Sequence, residues 1–183
     1  MALLTLHEAK AQLNLTDNED DEELTAYIEA IGPVIERFIG PVEPRQVTET
    51  HEAPGVRILF LRTPPALELT ALEPLVTGGT GYDVAALVLD GATGAVRRAD
   101  GGRFLGPLRV TYQAGRPDIP ATVNLAARML VQHLWRTQNA GRGPVLAGGD
   151  DYSVSEPVPG FGYAVPNRVL QLLGPYRLAP GVA

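Results

Sequence analysis

A β-strand that runs directly into a long amphipathic helix constrains the fold of this chain more than any other feature. The strand is predicted at Leu108–Gln113 and reaches Gly115, and the helix is predicted from about Ile119 to Gln138. One helix face is apolar, with Val123, Ala126, Ala127, Leu130 and Leu134. A polar stripe lies opposite, with Asn124, Arg128, Gln132 and Arg136. Such a helix packs one face on a core and presents the other.

Two further helices are predicted near the N-terminus. Thr5 and Glu8 form a capping box that opens a short helix over Leu6–Leu13. A second helix begins at Asp20, carries apolar residues at helical spacing as far as Ile39, and ends at the following Gly-Pro. Pro33 predicts a kink in this helix, because proline has no N–H to donate.

Between residues 45 and 115 the pattern changes to short β runs separated by turn residues. Strands are predicted at Gln46–His51, Val56–Leu61, Leu67–Leu72, Tyr82–Leu89, Ala95–Arg98 and Leu108–Gln113. Pro54-Gly55 is predicted to turn the first pair, and residues 90–94 are predicted to turn the hairpin that ends at Arg98. Six short strands without an intervening helix predict a small antiparallel sheet folded on itself.

These elements predict an α+β fold with a helical bundle formed from the N- and C-terminal segments and a small antiparallel β domain inserted between them. Residues 1–44 supply the N-terminal helices, and residues 45–116 form the inserted β domain. Residues 117–183 contain the long helix, a Gly/Pro-rich arm and a short last helix at Pro166–Leu173. A length of 183 residues suits one domain or a body with one insertion.

Composition excludes several functions. A net charge of −6 argues against DNA binding as the main task, because phosphate neutralisation needs a basic face. The absence of cysteine excludes disulfides and cysteine–zinc sites. The apolar runs fall short of the roughly 20 residues of a membrane span, and the first residues lack the basic start of a secretion signal. No membrane association is predicted.

The sequence predicts neither a metal site nor a catalytic centre. His7, His51 and His133 fall in separate elements, and the first two are expected at the surface, with His133 half-buried. The acidic run at 17–23 lacks the glycine and alternating ligands of a calcium loop, so it is interpreted as a solvated helix start. The glycines at 78–81 are not followed by the lysine of a phosphate-binding loop and predict a turn. We therefore expect a protein that is not an enzyme and has no cofactor.

Two sets of surface residues keep more than one interpretation. Trp135 lies at the edge of the apolar face of the long helix, where it either packs in the core or anchors an interface. Arg97, Arg98 and Arg103 form a basic cluster around a hairpin, which is more typical of a solvated strand edge than of a DNA contact.

Several segments, in order along most of the chain, resemble the head–tail connector (adaptor, head-completion) proteins of long-tailed phages. The similar segments are residues 3–13, 34–41, 45–49, 90–98, 110–115, 126–138 and 161–173. The resemblance is to the larger form of the family, which carries a β insertion between its helices. Gly32-Pro33 departs from the family pattern within the second helix.

The resemblance implies a structural virion protein located in the neck, between capsid and tail, and assembled in the host cytoplasm. Members of the family form a ring of about twelve copies below the portal protein, an arrangement that a repeated head-to-tail contact can close. The ring extends the DNA channel, and its other side provides the docking surface for a downstream neck or tail-completion protein. Double-stranded DNA passes through without specific binding.

A ring needs two different complementary faces on each copy. The candidate subunit-interface residues combine the polar stripe with the acidic helix start and are Arg128, Gln132, Trp135, Arg136, Asp20, Asp21 and Glu23. The candidate portal-docking arm comprises Arg142, Tyr152, Phe161, Tyr163, Arg168 and Leu170. We expect this arm to become ordered on docking, and we expect truncation after Gly141 to leave a folded body that no longer attaches to heads.

Two alternative functions remain open from the sequence. The first is another neck component, either a head-completion stopper or a tail terminator, and such proteins tend to be mostly β without two long flanking helices. The second is a small β-domain binding module or an enzyme that binds carbohydrate. That function needs exposed aromatic side chains on a strand face or a pair of carboxylates in a cleft.

Overall fold

Four α-helices and six β-strands make up the described part of the chain, residues 2–139 and 165–178 of a computed structural model. The helices are α1 (Leu6–Leu13), α2 (Asp21–Ile39), α3 (Ala121–Asn139) and α4 (Asn167–Leu173). The strands are β1 (Arg45–Val56), β2 (Ile58–Phe60), β3 (Ala66–Pro74), β4 (Leu87–Asp90), β5 (Ala95–Arg98) and β6 (Phe104–Ala114). Short 3-10 turns occupy Val84–Ala86 and Gly174–Tyr176. The mixed α and β composition that the sequence predicts is confirmed.

The start of α1 follows from its capping residues. The backbone N–H of Glu8 donates to the Thr5 hydroxyl at 3.3 Å, and the Thr5 N–H donates to the Glu8 carboxylate at 2.9 Å. These two bonds satisfy N–H groups that the first helical turn leaves without partners. The helix ends at Asn14, which adopts a left-handed conformation with φ of 58°. Both the capping box and the bounds of α1 are therefore as predicted.

Helix α2 runs for 19 residues and passes through Pro33. Three acidic residues occupy its first turn, where the helix dipole favours negative charge. Gly40 ends it with φ of +75°, and the Gly40 N–H donates to the Glu36 carbonyl at 2.8 Å. The helix is thus one continuous element, and the kink at Pro33 stays a prediction.

The first sheet is antiparallel and has the order β1-β6-β3. From Leu108 onward its central strand β6 alternates buried with exposed or half-buried residues, and the buried residues of the strand are Phe104, Leu108, Val110, Tyr112 and Ala114. The predicted turn at Pro54-Gly55 is wrong, because β1 continues through Pro54 and pairs with β6 instead of β2. Proline is tolerated there because β1 is an edge strand, and the register shift between Pro54 and Val56 marks a bulge.

The second sheet is antiparallel and has the order β2-β5-β4. The predicted hairpin is confirmed, with Leu87 opposite Arg98 and Asp90 opposite Ala95. The Asp90 carboxylate accepts from the Thr93 hydroxyl at 2.7 Å and stabilises the turn. The predicted strand start at Tyr82 is wrong, because Tyr82 makes only an isolated bridge to Leu72 before the 3-10 turn.

The chain divides into two compact units. A helical unit contains residues 4–33 and 121–175, and a β unit contains residues 1–3, 34–120 and 176–183. The buried residues of the helical unit are Leu4, Ala9, Leu24, Ile31, Val123, Ala126, Ala127, Leu130, Val131, Val169 and Leu173. The main core of the β unit consists of Ala53, Leu59, Leu61, Ala66, Leu72, Val96, Phe104, Leu108, Val110, Tyr112 and Ala114. The bundle with an inserted domain, divided at residues 44 and 116, stays a prediction.

Charge is divided unequally between the two units. The β unit contains ten acidic and ten basic residues, so the whole net charge of −6 belongs to the helical unit. Residues 4–33 concentrate it, with eight carboxylates and Lys10 as the one basic residue. The described helices include none that is both long and apolar enough to span a membrane.

Candidate functional site

The polar stripe of α3 faces α1 over most of its length. The Arg128 guanidinium contacts the Glu8 carboxylate at 2.6 Å and donates to the Asn124 side-chain oxygen at 2.8 Å. One turn further along, the Gln12 amide donates to Gln132 at 3.1 Å. Glu8 and Gln12, four residues apart on α1, therefore contact Arg128 and Gln132, which are four residues apart on α3. The stripe holds the two helices together within the helical unit.

Glu8 takes part both in the capping box of α1 and in the contact with Arg128, and both interactions affect its pKa. The pKa of Glu8 falls from an ordinary value of 4.5 to about 2. The hydrogen bond from the Thr5 backbone N–H is the largest cause, partial burial opposes it, and the Thr5 hydroxyl and Arg128 lower the pKa further. The folded state thus favours the ionised carboxylate.

Replacement of Glu8 by glutamine is expected to make the helical unit less stable at neutral pH. The depressed pKa stabilises the folded state fully above about pH 4.5, and this contribution is lost as the pH falls towards 2. Because the pair is partly exposed, we expect a loss of about 1 kcal/mol at pH 7 that shrinks as the pH falls from about 4.5 through 2. Urea denaturation of both proteins across this range measures it, with exposed Glu19→Gln as control. A difference that stays constant with pH would contradict this account.

The acidic start of α2 is only partly engaged by other residues of the chain. The Lys10 ammonium contacts the Asp21 carboxylate at 2.7 Å and the Asn18 side chain at the same distance. The Tyr27 hydroxyl donates to the Glu23 carboxylate one turn into the helix. Asp20, Asp21 and Glu23 are half-buried, whereas Glu22 is exposed.

Trp135 and Arg136 lie near the end of α3 and differ in their surroundings. The Trp135 ring meets the Tyr27 ring edge-on, with centroids 6.4 Å apart and planes at 80°. This contact supports the packing interpretation of Trp135, whereas its role at an interface stays a proposal. Arg136 is exposed. The stripe therefore changes from packing residues at its start to an exposed cation at its end.

The candidate portal-docking arm is described only in part. Arg142, Tyr152, Phe161 and Tyr163 lie outside the described residues. Arg168 is exposed and Leu170 is half-buried on α4. The neighbouring α4 residues Val169 and Leu173 are fully buried, and α4 packs on α3. This packing corrects the expectation that truncation after Gly141 leaves a folded body, because the truncation removes part of the core of the helical unit.

His51 is not a surface residue, contrary to the prediction. Its side chain is 10% exposed, and its Nε2 lies 2.7 Å from the Glu49 carboxylate, which is 9% exposed. Burial raises the pKa of Glu49, but the bonds from His51 and the Arg62 N–H outweigh it and hold that pKa below its ordinary value. His7 is exposed and His133 half-buried, as predicted. Among the described residues no three histidine or carboxylate side chains are grouped to hold a metal.

The basic cluster is not at a strand edge, because β5 is the central strand of its sheet. Arg98 lies 5.3 Å from the centre of the Tyr82 ring and pairs with Asp100. Arg103 donates to the Gly55 carbonyl at 2.6 Å. Arg97 is exposed. Two of the three arginines thus organise the β unit, and Arg97 is presented to solvent.

A partly apolar surface that sequence reasoning missed flanks Arg97, with the exposed Asp90 at its margin. Strand register places Ile58 and Val88 directly beside Arg97, one on each neighbouring strand. Phe60 lies two residues further along β2 and so shares this face. Phe60 is 56% exposed and Val88 is 55% exposed. Exposed apolar residues next to an arginine are typical of binding surfaces.

Comparison with known protein families identifies the family to which this chain belongs. A family model described as "head completion protein" matches residues 2–179. The chain belongs to the head completion protein family. No curated protein matches it. The resemblance to phage connector and head-completion proteins is thereby confirmed, and the role of the chain is a structural one in the neck of the virion. A structural head completion family implies a protein that is not an enzyme.

Proposed function

We propose that this head completion protein is a head–tail adaptor that forms a ring of about twelve copies below the portal. The ring extends the DNA channel on the capsid side and docks a downstream neck or tail-completion protein on the other side. Two kinds of contact are needed: a contact between copies and a contact with the portal. The described chain offers separate surfaces of different chemistry for these contacts, including the exposed face around Arg97 and the acidic start of α2.

The two long helices favour the adaptor over the other neck components. Helices α2 and α3 are each 19 residues long and lie on either side of the β region in the sequence. Head-completion stoppers and tail terminators, in contrast, tend to consist mostly of β-strands and to lack two long flanking helices. The helical content is therefore the observation that supports the adaptor most strongly within the family.

Adding the purified protein to DNA-filled heads that lack it tests the proposal. Negative-stain electron microscopy of these heads is expected to show new density confined to the portal vertex, with a rotational symmetry that gives the copy number. A chain with scrambled surface charges but an unchanged circular dichroism spectrum controls for non-specific adhesion. Folded wild-type protein that leaves the heads bare would overturn the adaptor assignment.

The acidic helical unit suits a structure that surrounds moving DNA. Its net charge of −6 per copy, repeated around a ring, repels DNA phosphates, so that DNA slides without binding. We therefore expect no measurable DNA affinity at physiological salt. The β unit has balanced charge and does not contribute to this repulsion.

The candidate subunit-interface residues separate into two groups within this proposal. Arg128 and Gln132 hold α1 and α3 together inside one copy. Trp135, Arg136 and the acidic residues Asp20, Asp21 and Glu23 are retained as candidate contacts with a neighbouring copy. Arg168 and Leu170 are retained as candidate portal contacts on α4, together with the arm residues Arg142, Tyr152, Phe161 and Tyr163.

Charge reversal distinguishes Arg128, which pairs with Glu8 within one copy, from Arg136, which is a candidate contact between copies. Arg128→Glu places a carboxylate against Glu8, so we expect it to destabilise the isolated chain by about 2 kcal/mol. Arg136→Glu changes an exposed side chain and is expected to alter stability by less than about 0.5 kcal/mol. Thermal and urea denaturation of both variants measures this difference. Equal effects would mean that the Glu8–Arg128 pair does not contribute to folding.

A replacement of residues 142–164 by a Gly/Ser linker tests the docking arm without removing α4. We expect this variant to fold, because Val169 and Leu173 stay available to pack, and to lose attachment to heads. Circular dichroism and sedimentation with heads measure the two properties. Attachment at the wild-type level would exclude the deleted part of the arm from portal binding.

A further inference from the structure

The outward face of the second sheet has the composition of a contact surface. Its inward row, formed by Leu59, Val96 and Leu89, packs into the core of the β unit. The opposite face presents Phe60 and Val88, both more than half exposed, on the two strands that flank Arg97. Neighbouring strands are about 4.8 Å apart, so Phe60 and Val88 each lie within about 10 Å of Arg97. We name Phe60, Val88 and Arg97 the sheet patch.

The exposed side of α2 is complementary to the sheet patch. Glu22, Ala26 and Glu29 are exposed and recur at helical spacing, with a further exposed alanine at Ala30. Glu22 and Glu29 are about 10 Å apart along the helix axis, because each residue advances by 1.5 Å. The Ala26 side chain between these carboxylates is small enough to admit a phenylalanine ring. We name Glu22, Ala26 and Glu29 the helix patch.

We infer that the sheet patch of one copy binds the helix patch of the next copy, with Arg97 between the carboxylates of Glu22 and Glu29. This inference rests on the proposed ring. Its chemistry is an apolar contact around a charge-assisted hydrogen bond, in which the Arg97 guanidinium donates to a carboxylate. The division of charge supports it, because the helix patch lies in the unit that carries the whole negative charge.

Charge also favours a head-to-tail contact. Two helix patches facing each other would bring four carboxylates together, whereas the sheet patch carries Arg97 with the exposed Asp90 at its margin. Like charges at an interface cost several kcal/mol, so a symmetric pairing of two helix patches is unfavourable. A contact between two different faces repeats from copy to copy and closes into a ring when the rotation allows. Charge thus disfavours a twofold dimer through the helix patch.

Arg136 is the competing basic partner for the acidic side of α2. It is exposed, but it belongs to the helical unit and has no exposed large apolar neighbour within three positions along α3. Arg97 instead has Phe60 and Val88 beside it, so its contact excludes water and strengthens the ion pair. The sheet patch therefore offers more binding free energy than an isolated surface arginine.

Cysteine cross-linking on heads tests the contact, since the natural chain has no cysteine. An equimolar mixture of Val88→Cys and Ala26→Cys single variants is bound to heads, unbound protein is removed, and mild oxidation is followed by mass spectrometry. We expect the mixed disulfide to exceed both homodimers several-fold. The matched control mixes Ala26→Cys with Thr48→Cys, an exposed position on β1. Equal yields from the two mixtures would overturn the inference.

Charge exchange gives the second arm of the test. Arg97→Glu, and the double variant Glu22→Arg with Glu29→Arg, are each expected to lower the cross-linking rate by about tenfold. Combining the reversed sheet patch with the reversed helix patch is expected to restore it. If Arg136→Glu lowers the rate and Arg97→Glu does not, the stripe is the partner and the inference is wrong. Wild-type protein that fails to bind heads would instead overturn the adaptor function itself.

Discussion

Gly40→Ala is expected to lower the free energy of unfolding by about 3 kcal/mol or more. Gly40 ends α2 with φ of +75°, a conformation that costs an alanine about 1 kcal/mol. A Cβ atom at this position would also lie 2.0 Å from the Pro64 carbonyl oxygen and 2.9 Å from Pro65 Cδ. Because the closest atom belongs to the backbone, relief requires the segment at 64–65 to move away from the end of the helix.

Gly101→Ala is the matched control for this substitution. Gly101 has φ of +72°, almost the same as Gly40, but a Cβ there would meet nothing within 4 Å. Its expected loss is about 1 kcal/mol, the cost of the backbone conformation alone. Guanidinium denaturation followed by circular dichroism at 222 nm compares the two variants. Losses of equal size would show that the approach of Gly40 to Pro64 is relieved without cost.

Local signals in the sequence predicted the helices and one hairpin. The Thr5–Glu8 capping box determines where α1 begins, and Gly40 determines where α2 ends. The hairpin turn contains Asp90 and Gly94, which supply the side-chain acceptor and the positive φ that the turn needs. In each case the residues that decide the conformation lie within a few positions of one another, so periodicity and turn chemistry suffice.

The pairing of β1 with β6 was not predicted, because these strands are distant in sequence. β1 pairs with β6 across about fifty residues, and no local signal selects this partner over β2. The dipeptide Pro54-Gly55 indicated a turn, but the same residues suit a bulge in an edge strand. His51 was misplaced for a related reason. Val47, Glu49, His51 and Ala53 share the inward face of β1, an alternation that predicts partial burial once the strand is known to continue.

The residues of the polar stripe on α3 were predicted from the sequence, but their contacts with α1 were not. Helical spacing placed Asn124, Arg128 and Gln132 on one face, yet spacing alone does not reveal what lies opposite. The overlooked signal was in α1, where Glu8 and Gln12 repeat at the same interval with complementary chemistry. The exposed residues around Arg97 gave a weaker signal, because Leu87, Val88 and Leu89 form a continuous apolar run that hides which side chain faces outward.

Arg116→Ala is expected to destabilise the β unit by about 2–4 kcal/mol. The Arg116 guanidinium donates to the carbonyl oxygens of Ile39 at 2.9 Å, Pro41 at 3.1 Å and Tyr176 at 3.5 Å. It also lies 5.8 Å from the centre of the Tyr176 ring. The side chain of Arg116, the second residue after β6, thus joins the end of α2 to the 3-10 turn at Gly174–Tyr176. Its removal leaves carbonyl groups without their charged donor.

Arg116→Lys is expected to recover only part of this loss, because a single ammonium group does not reproduce the planar fork that reaches separate carbonyls. Burial lowers the pKa of Arg116, but an arginine stays protonated throughout the pH range in which proteins fold, so the loss should not vary with pH. Urea denaturation of both variants measures the effect, with the exposed Arg177→Ala as control. If the alanine variant lost no more stability than this control, water would satisfy the three carbonyls equally well. Full recovery by lysine would show that charge near the end of α2 matters more than the geometry of the guanidinium.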